Sequence, residues 1–285
     1  MGGGPQVKES LLTRAPVCRT EPPEGYSWTP PPFHFVLAFC NRDEGMAVTL
    51  LDWIADLGPV DRELTLFVDK GTNTDLVMRS AVRAFREVHV QQIPKSGAPW
   101  PGCNNFVWYH TCRIMAAQNN PWLLLETDMA PCAQDWVQRL ENEYTRARKP
   151  FLGAWVEPYD IMNGGGVYPP DVHPWCPEFF KKNPLTARAY DCEIAPEIVW
   201  FTHNASHLMP NVWFTRGNGR PGGQVPQIPV WDKRLMEWVC NHNAVLVHRC
   251  KDATLIKLLR ERFDEAARAA SLVSYGENSV NKQNT

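Results

Sequence analysis

The sequence has no apolar run approaching the roughly 18 residues that a membrane-crossing helix needs. Its opening stretch, MGGGPQVKES, lacks the apolar core of a secretory leader, and Gln6 stands where a myristoylation signal wants Ser or Thr. Net charge is nearly absent, at −2 over 285 residues, so the composition carries no general electrostatic hold on nucleic acid or anionic membrane. The nine cysteines are odd in number and include no Cys-x-x-Cys pair, which argues against a zinc site and against a secreted disulfide framework. Reduced, buried thiols in a cytoplasm are the expectation. No internal repeat is visible. What remains is 44% apolar and 21% charged residues, ordinary proportions for a globular protein able to bury a core.

Along the chain, residues 1–32 end in EPPEGYSWTPPP, a proline-rich arm that cannot carry regular structure and is expected to lie over the domain. From Phe33 the pattern changes. FHFVLAF reads as a strand, and a helical stripe follows through Ala47, Leu50, Leu51, Ile54 and Leu57, stopped by Gly58 and Pro59. ELTLFV, DLVMRSAVRAFRE, VHVQQI and NNFVWYHTCRIMAAQ continue as strand, helix, strand and helix, the last with Phe106, Tyr109, Arg113 and Ala117 along one line. Such alternation predicts an α/β domain with a mostly parallel central sheet and helices on both faces, spanning residues 33–270. Residues 157–230 break the rhythm with Pro, Gly, Trp and Asn and short strand-like pieces such as EIVWF, as functional irregular segments do. Residues 271–285 read as a polar, disordered tail.

Residues 122–131, WLLLETDMAP, carry an unbroken apolar run that stops at Glu126 and Asp128, with Thr127 between them. Such a run fits a strand buried on both faces, and the carboxyl ends of strands are where ligands bind in open α/β sheets. On an extended chain the two acids point to the same side, so both can face one divalent cation. A helix cap followed by a solvated turn is the competing reading, because AQDWVQRLENEY looks like a helix start.

Three further segments fall where ligands should bind on this sheet. LFVDKGTNTD ends a strand at Asp69, turns at Gly71 and opens a helix at Asp75. A carboxylate there accepts hydrogen bonds from a nucleobase edge or a ribose hydroxyl, or simply belongs to an ordinary strand–turn–helix. NGGGVYP, with Gly164 and Gly165, reads as a loop whose backbone can approach a ligand or offer N–H groups to an anion, or as a merely flexible one. LVHRCKD sets His248 after a strand and Lys251 three residues on. An imidazole can ligate a metal and an ammonium can bind phosphate oxygens, although a histidine so placed can equally be structural.

In order and spacing these segments resemble the glycosyltransferases of GT-A fold, especially the large family-two group of nucleotide-sugar transferases, over about residues 33–260. VDKGTNTD stands for that family's V-D-D-G-S-T-D-like motif, ETD for its Asp-x-Asp motif, and WDKRLMEW with AVLVH for the later helix and strand. The resemblance implies a GT-A, Rossmann-like fold with a nucleotide-sugar half at 33–156 and an irregular acceptor half at 157–270. It implies metal-dependent transfer of a sugar from a nucleoside-diphosphate sugar, a UDP-sugar first, to an acceptor hydroxyl. Asp69 would then contact the base, with Asn41 and Arg42 lining the same pocket. Asp128 and His248 would hold Mn²⁺ or Mg²⁺, Glu126 would contact ribose or bound water with Thr127 beside it, and Lys251 would meet phosphate. Asp232 takes the family's place for the general base and Asp191 is the second choice; Asp232 is equally a plain N-cap. Two positions depart from the family: Glu126 replaces the first Asp of the metal motif, and Lys70 replaces an acid after Asp69.

The arrangement WPGCNNF, PWLLLETD, RKPFLGAW, NGGGVYP and HRCKD is also similar to bacteriophage-encoded glycosyltransferases, some of which attach sugars to hydroxymethylated pyrimidines in DNA. That implies hydroxymethylated DNA as a candidate acceptor and the host cytoplasm as the place. Arg146, Arg148, Lys149, Lys181, Lys182, Arg216 and Arg220 are then candidate phosphate contacts, or else a solvated surface. Among 12 tryptophans, Trp100, Trp108, Trp155, Trp175 and Trp200 fall near the proposed cleft segments, where aromatic faces suit sugars or bases. Two other readings stand beside this one. A sugar-nucleotide nucleotidyltransferase needs a glycine-rich basic loop for a triphosphate, and FCNRDEG offers one glycine and one arginine. A non-catalytic carbohydrate- or nucleic-acid-binding module has no need of Glu126, Asp128, His248 and Lys251 together.

Overall fold

Strands buried on both faces favour near-continuous apolar runs, and the central strands meet this by dividing their apolar side chains between two cores. In FHFVLAF, Phe35, Leu37 and Phe39 enter one core while Val36 enters the other. In WLLL, Leu123 and Leu125 go one way and Trp122 and Leu124 the other. Each such side chain, fully buried, contributes about 2 kcal/mol relative to an exposed one.

The computed structural model describes residues 19–156, 161–211, 231–248 and 250–280. In chain order the elements are β1 (His34–Phe39), α1 (Glu44–Leu57), β2 (Val60–Asp69), α2 (Asp75–Ala84), β3 (Phe85–Ile93), α3 (Gly102–Met115), β4 (Trp122–Leu125) and β5 (Met129–Pro131). There follow α4 (Trp136–Ala147), β6 (Phe151–Val156), β7 (Ile161–Tyr168), α5 (Pro177–Phe180), α6 (Tyr190–Ile198), β8 (Thr202–Asn204), α7 (Lys233–Asn241), β9 (Leu246–His248) and α8 (Thr254–Val280). Seven strands form one sheet in the order β3-β2-β1-β4-β7-β6-β8. Within it β7 alone runs against its neighbours, so the sheet is mostly parallel, as the alternation of elements predicts. Helices α1, α2 and α4 cover one face through Leu50, Ile54, Val77, Ala81, Trp136 and Leu140. Helices α3 and α6 cover the other through Trp108, Cys112, Met115, Ile194 and Ile198. A third core joins α7 and α8 to Trp53 of α1 and to the two-stranded ribbon of β5 and β9.

The arm from residue 19 to the first strand has neither helix nor strand; Tyr26 lies edge-on to Trp175 and Trp28 sits beside Tyr144. Three local expectations change. The second helix ends at Ala84 rather than running on, because Phe85 turns extended, pairs with Val60 and packs against Phe35. NNFVWYHTCRIM is helical as expected, and the face of α3 that is buried carries Asn105, Trp108, Cys112 and Met115, with Trp108 stacked on Tyr190. EIVWF is the end of α6 and a 3-10 turn rather than a strand, and the short strand begins only at Thr202. The last helix reaches Val280, through part of the stretch read as a disordered tail; no proline interrupts SLVSYGENSV, and polar composition alone does not stop a helix. Residues 281–285 and 212–230 lie outside the described residues. Among the described residues no helix is long and apolar enough to cross a membrane, and the described cysteines are free thiols, with Cys112, Cys132, Cys176 and Cys250 buried.

Candidate metal centre

β4 stops at Leu125, and the two acids that follow do not continue it. Met129 N–H donates to the Glu126 carbonyl at 3.0 Å, closing a tight turn that holds Glu126, Thr127 and Asp128 at the carboxyl edge of the sheet. The expected extended chain is thus a turn, and the turn is what makes the acids converge. Directly after it β5 pairs with β9 in antiparallel register, Met129 opposite His248. That register sets His248 beside Asp128, 120 positions away in sequence, with His248 Nε2 3.1 Å from Asp128 Oδ1. Glu126 Oε2 lies 2.6 Å from the same nitrogen. Cys250 N–H donates to the Asp128 carbonyl at 2.7 Å, and this fold-back brings the Lys251 ammonium onto Asp128 Oδ2.

Glu126, Asp128 and His248 each offer a ligand atom, all within 4.8 Å of one another. The sequence reading placed Glu126 on ribose or water; its position groups it with the metal candidates. Asp128 and His248 are both only 5% exposed. Asp128 Oδ2 is buried and faces the Lys251 ammonium. Two carboxylates and one imidazole, with their ligand atoms so close together, fit a divalent cation with a preference for hard or borderline ligands. The electrostatics agree. Burial pushes the Asp128 carboxyl up, but His248 and Lys251 outweigh it and hold the group well below the usual carboxylate range. Burial pushes His248 down, but Glu126 and Asp128 outweigh it and raise the imidazole to about 9. Without an ion, His248 and Lys251 supply the positive charge the acids require.

The centre borders a cavity of about 700 Å³, to which Glu126, Thr127, Asp128 and Lys251 contribute. Asn41, Arg42 and Asp69, at the ends of the neighbouring strands β1 and β2, line it as well. Lys70 and Lys95 stand on the same wall, and Trp100, 71% exposed, lies among the lining residues. Among the described residues the side chains of Arg42, Lys70, Lys95 and Asp69 have no hydrogen-bonding or ionic partner within the chain.

The remaining candidates separate. Gly164 and Gly165 lie within β7, not in a loop, and both are buried. A Cβ on Gly164 would strike Tyr190 Oη and Glu126 Oε1, and one on Gly165 would come within 2.6 Å of Met129 Sδ. The glycines let a strand pass against the acidic turn. Asp191 follows the cavity-lining Tyr190 in the first turn of α6 but is not itself among the lining residues, and burial first and Glu126 second push its carboxyl up. Asp232 caps α7, its Oδ1 accepting from Leu235 N–H at 2.8 Å, and is not among the residues lining the cavity. Of the tryptophans, Trp100 and Trp108 border the cavity, whereas Trp155, Trp175 and Trp200 do not. Arg216 and Arg220 lie outside the described residues. Arg146 pairs with Glu143, Arg148 lies over Trp28, Lys149 donates to the Thr202 carbonyl, and Lys181 and Lys182 pair with Glu178 and Glu193. The sequence reading missed Asn163, whose amide lies 2.7 Å from His248 Nδ1. It was in view as the first letter of NGGGVYP, but a loop assignment hid its fixed place in the sheet.

No protein-family model matches the chain, and no curated protein matches it. Solved structures do. The fold is similar to that of the galactosyltransferase LgtC in complex with donor and acceptor sugar analogs, at 12% identity and a TM-score of 0.49, over 83% of this chain and 96% of that one. It is similar to mouse xyloside xylosyltransferase 1 at 9% identity and a TM-score of 0.48, over 77% of this chain and 98% of that one. The bifunctional glycosyltransferase WbbM aligns at 9% identity and a TM-score of 0.47, over 85% of this chain and 49% of that one. These neighbours are glycosyltransferases. At such identities the likeness is one of architecture, and it says nothing about a DNA acceptor or a phage origin.

Proposed function

We propose that the protein is a metal-dependent glycosyltransferase that moves a sugar from a nucleoside-diphosphate sugar to an acceptor hydroxyl. One observation carries this reading: Glu126, Asp128 and His248 converge on one point beside Lys251, at the edge of a cavity whose other wall holds unpaired cations and Asp69. Glu126, Asp128 and His248 would hold Mn²⁺ or Mg²⁺, which when bound offsets the negative charge growing on the leaving diphosphate. Lys251 contributes a second positive charge to the phosphates, and Arg42, Lys70 and Lys95 draw the donor into the cavity. Asp69 accepts from the imide N–H of a uracil, which makes a UDP-sugar the preferred donor. Asp191 accepts the proton of the acceptor hydroxyl. Its raised proton affinity and its place beside Tyr190 suit that role better than the capping position of Asp232. Trp100 offers an exposed ring at the cavity for a sugar face.

The test is product formation by mass spectrometry, with a panel of nucleotide sugars against glycan, peptide and hydroxymethylated DNA acceptors. Transfer should require a divalent ion. Asp128→Asn should fold normally and lose at least about a hundredfold in turnover, or about 3 kcal/mol in the barrier. Asp69→Ala should weaken UDP binding without changing the ion's affinity. Full turnover in the presence of a strong chelator would remove the metal-dependent reading.

A further inference from the structure

The His248 ring uses both nitrogens, and they face opposite chemistry. Nε2 points to Glu126 Oε2 at 2.6 Å and Asp128 Oδ1 at 3.1 Å. Nδ1 lies 2.7 Å from Nδ2 of the Asn163 side-chain amide. Both residues are buried, His248 at 5% and Asn163 at 7% exposure, so water does not readily replace a lost partner. Asn163 is also held where it is. It sits in β7 next to Met162, which pairs with Trp155 of β6, while Gly166 and Val167 further along pair with Leu124 and Leu123 of β4. The two glycines after it let the strand lie against the acidic turn without a Cβ intervening.

We infer that Asn163 is a positioning residue for the metal centre, fixing the tautomer and the ring orientation of His248 so that Nε2 presents its lone pair to the cation. The inference rests on the metal reading of Glu126, Asp128 and His248. A cation bound at Nε2 takes that lone pair, so the proton of the neutral imidazole must reside on Nδ1, and a buried N–H needs an acceptor. Asn163 is the group the structure places there. A side-chain amide carries an acceptor and a donor on one pivot, and a half-turn brings Oδ1 rather than Nδ2 to the ring. With Oδ1 facing Nδ1–H, the bond is the same whether Nε2 carries a proton or a cation, and the ring need not move when one replaces the other. A carboxylate would hold Nδ1–H as well, but it would add a third negative charge to a buried centre that already has two. The neutral amide avoids that cost.

Three forms of the full-length protein test this: the parent, Asn163→Leu and Asn163→Asp. Manganese affinity is read from the electron paramagnetic resonance of free Mn²⁺, and the His248 tautomer from ¹⁵N resonances of histidine-labelled protein with and without Zn²⁺, a diamagnetic probe. Asn163→Leu is expected to bind Mn²⁺ about 10- to 100-fold more weakly and to lose the single Nδ1–H tautomer. Asn163→Asp, which keeps the acceptor, should stay within a few-fold of the parent. The Zn²⁺-loaded parent should by itself show a protonated, slowly exchanging Nδ1, an observation that needs no variant to fold. Parent-like Mn²⁺ affinity and tautomer in Asn163→Leu would overturn the assignment while leaving the metal centre standing. So would equal losses in the Leu and Asp variants with a parent-like tautomer in both. Failure of the parent to bind Mn²⁺ would instead sink the metal reading, and this inference with it.

Discussion

For single residues the site is a matter of charge. Two carboxylates, Asp128 buried and Glu126 half-buried, share one turn, and in the absence of an ion Lys251 and His248 balance them. An ion held by Glu126, Asp128 and His248 changes the balance, because the Lys251 ammonium then lies beside a like charge. Unit charges about 4 Å apart repel by about 4 kcal/mol at an effective dielectric of about 20, and less where one of them is solvated, as Lys251 is. Lys251 should therefore leave Asp128 when the ion arrives and become available to the donor's phosphates. Without nucleotide, Lys251→Met should bind Mn²⁺ several-fold to about tenfold more tightly than the parent, and with Mn²⁺ present it should bind UDP about tenfold more weakly. Calorimetry with each ligand checks both halves. Unchanged affinities would mean that Lys251 plays no part in either equilibrium.

At the scale of elements, what was legible in the sequence was whatever local pattern and burial agreed upon. β1, β2 and β4 each read as an apolar run, β3 as the more polar VHVQQI, and the spacing of Leu50, Leu51 and Ile54 announced α1. Asp69 and the Glu126 and Asp128 doublet were legible as strand ends. β7 was not, because glycine lowers strand propensity and its reason for being there is tertiary: the room that Glu126 and Met129 require. Nor could the sequence give the pairing of β5 with β9, two three-residue strands far apart in the chain. Asp232 shows the same limit, since an acid before a helix reads as base and as cap alike. The structure gives it the cap geometry, and a lost cap costs about 1 kcal/mol. Asp232→Ala is accordingly expected to lower Tm by a few degrees and leave turnover within a few-fold of the parent. Asp191→Asn is expected to keep Tm and lose roughly 10²- to 10⁴-fold in turnover. Melting curves and steady-state rates for the pair decide the roles, and the reverse pattern would return the base to Asp232.

For the whole molecule, the centre joins parts of the chain that lie far apart in sequence. Glu126 and Asp128 follow a strand of the large sheet, whereas His248 ends β9 and Lys251 follows it, in a ribbon whose Val247 belongs to the core of α7 and α8 and whose Leu246 belongs to that of the sheet. A bound cation thus ties residues 120 positions apart in sequence and bridges the sheet to the last third of the chain. A ligand that binds only the folded state stabilises it by about 2.7 kcal/mol at a hundredfold excess over its Kd. In a domain of this size that raises Tm by roughly 5 to 10 °C. The gain should not be spread evenly. Amide exchange should slow most in residues 126–131 and 246–248 and in the helices packed on β9, because opening that ribbon now also costs the ion. β2 and β3, at the far edge of the sheet, should exchange as before. Hydrogen-exchange mass spectrometry with Mn²⁺ and with chelator measures this directly. Equal protection throughout, or none at the ribbon, would mean that the ion does not join the two parts of the chain.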